Sequence, residues 1–123
     1  MSNSRSYDTV AFDVRENATI LFFARTTATG DIEDYLLLMR ASGEEYEDST
    51  YLEINEHQLA GHNLIREARL TGNVLTLALH EPAAALDGAR EIILTYDETS
   101  ENRASVEKGA LRVLGETLCG GNA

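Results

Sequence analysis

Polar and apolar side chains alternate through much of this chain. Tyr51-Leu52-Glu53-Ile54-Asn55 sets Leu52 and Ile54 on one side and their neighbours on the other. A period of two marks a strand with one face in a core and one face in water. The same spacing recurs in Val10, Phe12 and Val14, in Leu75, Leu77 and Leu79, and in Ile92, Leu94 and Tyr96. Across residues 64–70, Leu64, Ala68 and Leu70 are assigned to one face, with Arg66 between them. Two runs are apolar throughout. Ile20-Leu21-Phe22-Phe23-Ala24 predicts a strand buried on both faces. Tyr35-Leu36-Leu37-Leu38-Met39-Arg40 is bracketed so closely by residues 25–31 and Ser42-Gly43 that it reads as strand rather than helix.

The punctuation fits this reading. Arg15-Glu16-Asn17, Thr29-Gly30-Asp31 and Glu56-His57 predict turns, and Thr71-Gly72-Asn73 predicts a hairpin turn. Pro82 is expected to stop a strand after Glu81, with one helical turn in the crossing 83–89. After Asp97 the period lengthens. Val106, Ala110, Val113, Leu114 and Leu118 share one face of a helix over 99–118. Thr99 or Ser100 suits its start, Glu101 its dipole, and Gly120 its end. Gly109 and Gly115 inside it each cost about 1 kcal/mol relative to alanine, so the helix leans on packing. The predicted fold is mainly β (α+β). About seven mostly antiparallel strands form a sandwich or half-open barrel with one C-terminal helix. One domain spans 1–123, with its sheet region in 8–97 and flexible ends at 1–7 and 119–123.

Composition adds the charge. Twenty-one acids against 10 bases leave a formal net charge of −11, and nine of the bases are arginine, Lys108 being the exception. Arginine's forked geometry suits local carboxylate pairs. Such acidity argues against bare nucleic acid and anionic membranes as partners, and favours a basic one. Cys119 is the single cysteine, so no intrachain disulfide is expected. The polar start, Met1 to Ser6, carries no signal-peptide pattern, and no apolar stretch reaches ~18 residues. The expected location is the cytoplasm.

Candidate chemistry is sparse, and no catalytic, cofactor or metal residue is assigned. His57 and His62 flank a loop near Glu53 and Glu56, a set that a small metal-assisted enzyme would use. Their gap of five matches no metal motif, and no third histidine or cysteine joins them. No Gly-x-Ser-x-Gly occurs, and Gly30, Gly43, Gly61, Gly72 and Gly88 are isolated as turn glycines are. Arg40 at the end of an apolar strand either anchors a partner or, as the preferred reading, pairs with an acid such as Glu53 on a neighbouring strand. Glu44, Glu45, Tyr46, Glu47 and Asp48 are the candidate partner contacts, combining four negative charges with an aromatic type common at hot spots. A self-associating structural β domain remains a further reading, so a homo-oligomer stays open.

Taken in order, these segments resemble the immunity protein 10 family of bacterial polymorphic toxin systems. The family pattern reads Tyr-Leu-Leu-Leu-Gln-Arg, then Tyr-Ile-Glu-Ile-Asn-Gly-Gln, then Gly-Tyr-Gly-Gly-Ile. Here Tyr35-Leu36-Leu37-Leu38-Met39-Arg40 is followed, after an acidic gap, by Tyr51-Leu52-Glu53-Ile54-Asn55-Glu56-His57. The similarity covers residues 8 to 97. Met39 replaces the usual glutamine, Glu56 the usual glycine, and Gly61-His62-Asn63-Leu64-Ile65 keeps only the first glycine and the last isoleucine. His62 and Asn63 tolerate αL better than branched residues do. The resemblance implies a cytoplasmic, non-enzymatic inhibitor that binds a cognate toxin domain stoichiometrically. It carries no toxin-contacting residue over to this chain.

Overall fold

In a computed structural model, the alternating segments pair into two sheets around a shared core. The structure describes residues 2–41, 50–55, 58–115 and 118. Among them are nine strands: β1 (Ser2–Tyr7), β2 (Thr9–Arg15), β3 (Ala18–Thr26), β4 (Ile32–Ala41), β5 (Thr50–Ile54), β6 (Leu59–His62), β7 (Ile65–Thr71), β8 (Val74–Ala83) and β9 (Ala89–Tyr96). One helix, α1 (Ser100–Leu114), follows them. A four-stranded sheet runs β1-β9-β8-β7 and a five-stranded sheet β2-β3-β4-β5-β6. The strand pairs are antiparallel except β1, which lies parallel on β9. The mainly β class with a carboxy-terminal helix is therefore as the alternation predicts.

The period of two places the core. Leu21, Phe23, Leu36, Leu38, Leu52 and Ile54 project from the five-stranded sheet, and Leu75, Leu77, Ile92 and Leu94 from the four-stranded one, all fully buried. Each such side chain contributes about 1.5–3 kcal/mol on burial. The rings of Tyr7 and Tyr96 flank Phe23 at 6.1 and 6.2 Å, joining the sheets. Helix α1 crosses the inner face of β2, β3 and β4. At its start Thr99 accepts from the Asn102 amide. Buried Asn102 bonds Val10 N, Asp8 O and Asp97 O. Midway, Gly109 lies so close to Phe12 and Leu21 that a Cβ would sit 2.7 Å from the Phe12 ring.

Several expectations change. Residues 1–7 were expected to be flexible, yet Ser2–Tyr7 form β1. Apart from the buried Tyr7 ring that strand has no apolar side chain, and its remaining anchor is polar. Arg5 donates to both carboxylate oxygens of Asp34 at 3.0 and 3.1 Å and to Gln58 at 3.1 Å, while Tyr7 Oη donates to Asp34. The Arg5 and Asp34 side chains are only 9% and 15% exposed. Burial, with Asp34 beside it, pushes the Tyr7 hydroxyl well above the usual tyrosine value.

The helix ends at Leu114 rather than 118 because Gly115 takes φ +55 and caps it, its N–H donating to Leu111 O. Gly115 is thus a terminator, not an interior cost. Leu118 bridges Ala68 beyond it. In β7 a bulge between Ile65 and Glu67 resets the alternation, so Ile65 is buried with Ala68 while Leu64 and Leu70 are half-buried. Strand β8 continues through Pro82 to Ala83. Pro82 sits where the ladder to β9 is irregular and beyond the last β7 pair at Leu79, so its missing N–H breaks no regular bond. The crossing then makes a single 3-10 turn at Ala84–Leu86.

Candidate functional site

Because Leu36, Leu38, Leu52 and Ile54 point inward, their neighbours must point outward. Along β4 and β5 those neighbours are Tyr35, Leu37, Met39, Tyr51 and Glu53. Register shows how they meet. One row crosses all five strands as Ala11, Phe22, Leu37, Glu53 and Ala60; the next runs Asp13, Ile20, Met39, Tyr51 and His62. Ile20, Phe22, Tyr35, Leu37, Met39 and Tyr51 are all half-buried by one another. No described element packs over them, since α1 lies on the opposite face. The apolar run in β3, expected to be buried on both faces, is therefore buried on one and partly open on the other.

Polar order is built into this apolar face. Tyr35 and Tyr51 stand on either side of Glu53, and each donates its hydroxyl to one of its carboxylate oxygens, Tyr51 at 2.6 Å. The hydrogen bond to Glu53, then burial and the negative charge, raise the Tyr51 hydroxyl above the usual tyrosine value. The two phenols thus hold the Glu53 carboxylate between two rings. Phe22 stacks on Tyr35 with centroids 5.5 Å apart, and His62 lies 5.1 Å from Tyr51. Tyr35 N donates to Asn55 Oδ1, with Asn55 at φ +46, fixing the β5 end. A shallow depression lined by Phe22, Ile32, Glu33, Asp34, Tyr35 and Asn55 adjoins the cluster.

The residues singled out from sequence fall differently. Glu44, Glu45, Tyr46, Glu47 and Asp48 lie outside the described residues, as do Glu56, His57 and Cys119. Glu53 and His62 do share this face, on neighbouring strands. Among the described residues no three His, Cys, Asp or Glu side chains gather to hold a metal ion. Arg40 does not pair with Glu53. It shares the inward parity of Leu36 and Leu38, so it turns to α1, donating to Val113 O and Leu114 O at 3.3 Å and to Thr50 Oγ1 at 3.1 Å. It closes the helix end, where the last carbonyls favour a cation. Asn63 takes φ +58, the αL conformation that asparagine tolerates better than branched residues do.

The Tyr35–Glu53–Tyr51 group escaped sequence reasoning. Its signal was the presence of large apolar or aromatic residues at both parities of β3, β4 and β5, which reads equally well as two-sided burial. Chemically, the face joins a carboxylate held by two phenols to ring and aliphatic surface. Among the described residues no helix is long and apolar enough to cross a membrane. No protein-family model matches the chain, and no curated protein matches it.

Proposed function

We propose that this chain is a cytoplasmic immunity protein that neutralises a cognate toxin domain by stoichiometric binding, without turnover. The supporting observation is the outer face of the five-stranded sheet. Sheets that meet water on one side carry polar residues there, whereas this one carries an apolar, aromatic patch of the kind that marks protein interaction sites. The net charge of −11 suits a basic partner and fast, electrostatically guided capture. The resemblance over residues 8–97 supplies the biological setting, a bacterium guarding itself against a toxin passed between cells.

The test is rescue. If a toxin domain is encoded beside this chain, growth of bacteria expressing it is expected to be restored by co-expressing the chain, and purified protein to titrate the toxin at one to one. Toxicity unrelieved by the chain overturns the reading. The acidic segment supplies a second measurement. Changing Glu44, Glu45, Glu47 and Asp48 to their amides slows association by roughly tenfold at low salt and flattens its salt dependence. Unchanged association removes the segment from the interface.

A further inference from the structure

We infer that one end of the four-stranded sheet's outer face carries a site for a phosphate group, free or esterified to a small molecule, held by Arg66, His80 and Arg90. The inference goes beyond the binding reading above and does not rest on it. The use of arginine points there. Arg5, Arg15, Arg25, Arg69 and Arg103 each lie beside a carboxylate. Arg40 closes the helix end, and Arg112 lies over the Phe12 ring at 5.9 Å. Two arginines are left. Arg66 comes only to 3.8 Å from Glu67, whose carboxylate Arg69 approaches to 3.1 Å. Arg90 has no ion pair or side-chain hydrogen bond among the described residues. With 21 acids against 10 bases, an arginine without an acid is the exception, and these two line one depression together with His80.

Two irregularities in the ladders build that depression. In β7 the extra residue of the bulge between Ile65 and Glu67 is Arg66. In β8 the pairing with β9 shifts between Ala78 and Ala83, which leaves His80 and Arg90 outside the regular ladder. Bulges re-aim side chains in this way beside functional sites. Cationic groups from β7, β8 and β9 thus gather in one place, with Ser2 of β1 at the rim. The depression holds about 410 Å³, within the range of small-molecule sites. Two guanidinium forks and an imidazole suit the three oxygens and double charge of a phosphate better than a lone carboxylate. Glu91 also lines the depression, and its carboxylate accepts a hydrogen bond from a ligand hydroxyl.

The test titrates the full chain with glycerol 3-phosphate, inorganic phosphate and sodium chloride at matched ionic strength, followed by amide and arginine side-chain chemical shifts. Either phosphate is expected to give saturable shifts at Arg66, His80, Arg90 and Glu91 that chloride does not reproduce. Tighter binding of the ester assigns the site to a phosphorylated small molecule, and equal binding assigns it to the free ion. Arg90→Gln is expected to weaken binding about tenfold. Lys108→Gln, which removes a positive charge from α1, leaves it unchanged. Both positions are exposed, and unliganded spectra report that the fold is kept. The same shifts with chloride, no saturation, or equal weakening by the two variants overturns the phosphate site. None of those outcomes touches the immunity reading, which stands on rescue of growth.

Discussion

The two sheets of this protein turn outer faces of opposite character to their surroundings. Across the four-stranded sheet the rows read Ser4-Ile93-Thr76-Arg69, Ser2-Glu91-Ala78-Glu67 and Ser6-Thr95-Val74-Thr71. These are mostly hydroxyls, small side chains and charges, the composition of a strand surface that meets only water. The five-stranded sheet places Phe22, Leu37, Met39, Tyr35 and Tyr51 in the same kind of position. Both sheets pack their inner faces on one core, so folding requires nothing of either outer face. The difference is thus an internal control within one molecule. The residues that stability leaves unconstrained have stayed polar on one side and become large and apolar on the other.

The join between the sheets offers the largest effect. Arg5 ties β1 of the four-stranded sheet to Asp34 on β4. Arg5→Ala leaves Asp34 in a largely buried place with Arg25 at 3.6 Å as its remaining cationic neighbour among the described residues, and is expected to cost about 3 kcal/mol in denaturant unfolding. If the two faces have separate tasks, the folded variant still binds the toxin domain at a temperature below its lowered midpoint. Loss of binding in the folded variant would mean that β1 shares in the interface.

Matched substitutions on the two faces come next. Leu37→Ser and Ile93→Ser change half-buried, central, outward positions of equal standing. Leu37→Ser is expected to weaken toxin binding by about 2 kcal/mol, roughly thirtyfold, and Ile93→Ser by less than about 0.5 kcal/mol. Calorimetric titration of both against the same toxin domain gives the answer. Equal losses would erase the distinction between the faces.

Much of the fold was legible because alternation and inward parity are the same fact. Leu52 and Ile54, Leu75 and Leu77, Ile92 and Leu94 were assigned to a core by spacing and are buried there. What escaped depended on partners far along the chain. Strand β1, Ser-Asn-Ser-Arg-Ser-Tyr, carries no hydrophobic signal and is held by Asp34 and Gln58, 29 and 53 residues away. Bulges hid the true facing of Ile65, since one inserted residue inverts parity. The site was half visible: its residues stood out as apolar, but sequence could not say whether a second layer covered them. Spacing alone offers Arg40 an acid such as Glu53, but the two differ in parity and so face opposite ways.

Tyrosine titration gives the smallest and most local test of the contrast. Tyr51 on the outer face and Tyr96 beside the core are both raised above the usual 10.0, Tyr51 chiefly by its bond to Glu53 and Tyr96 chiefly by burial. A raised folded value means that the stabilisation is complete below the unfolded value and is lost as pH rises through the folded one. Glu53→Gln removes the charge that Tyr51 would have to oppose on ionising. Phenolate absorbance should therefore show Tyr51 moving down toward its usual value while Tyr96 stays in place, and the alkaline decline in stability should shrink with no change in the Tyr96 share. If both tyrosines move together, Glu53 acts through the whole fold instead of its own face. The open sheet surface would then be part of the scaffold, and its apolar residues would need a structural explanation.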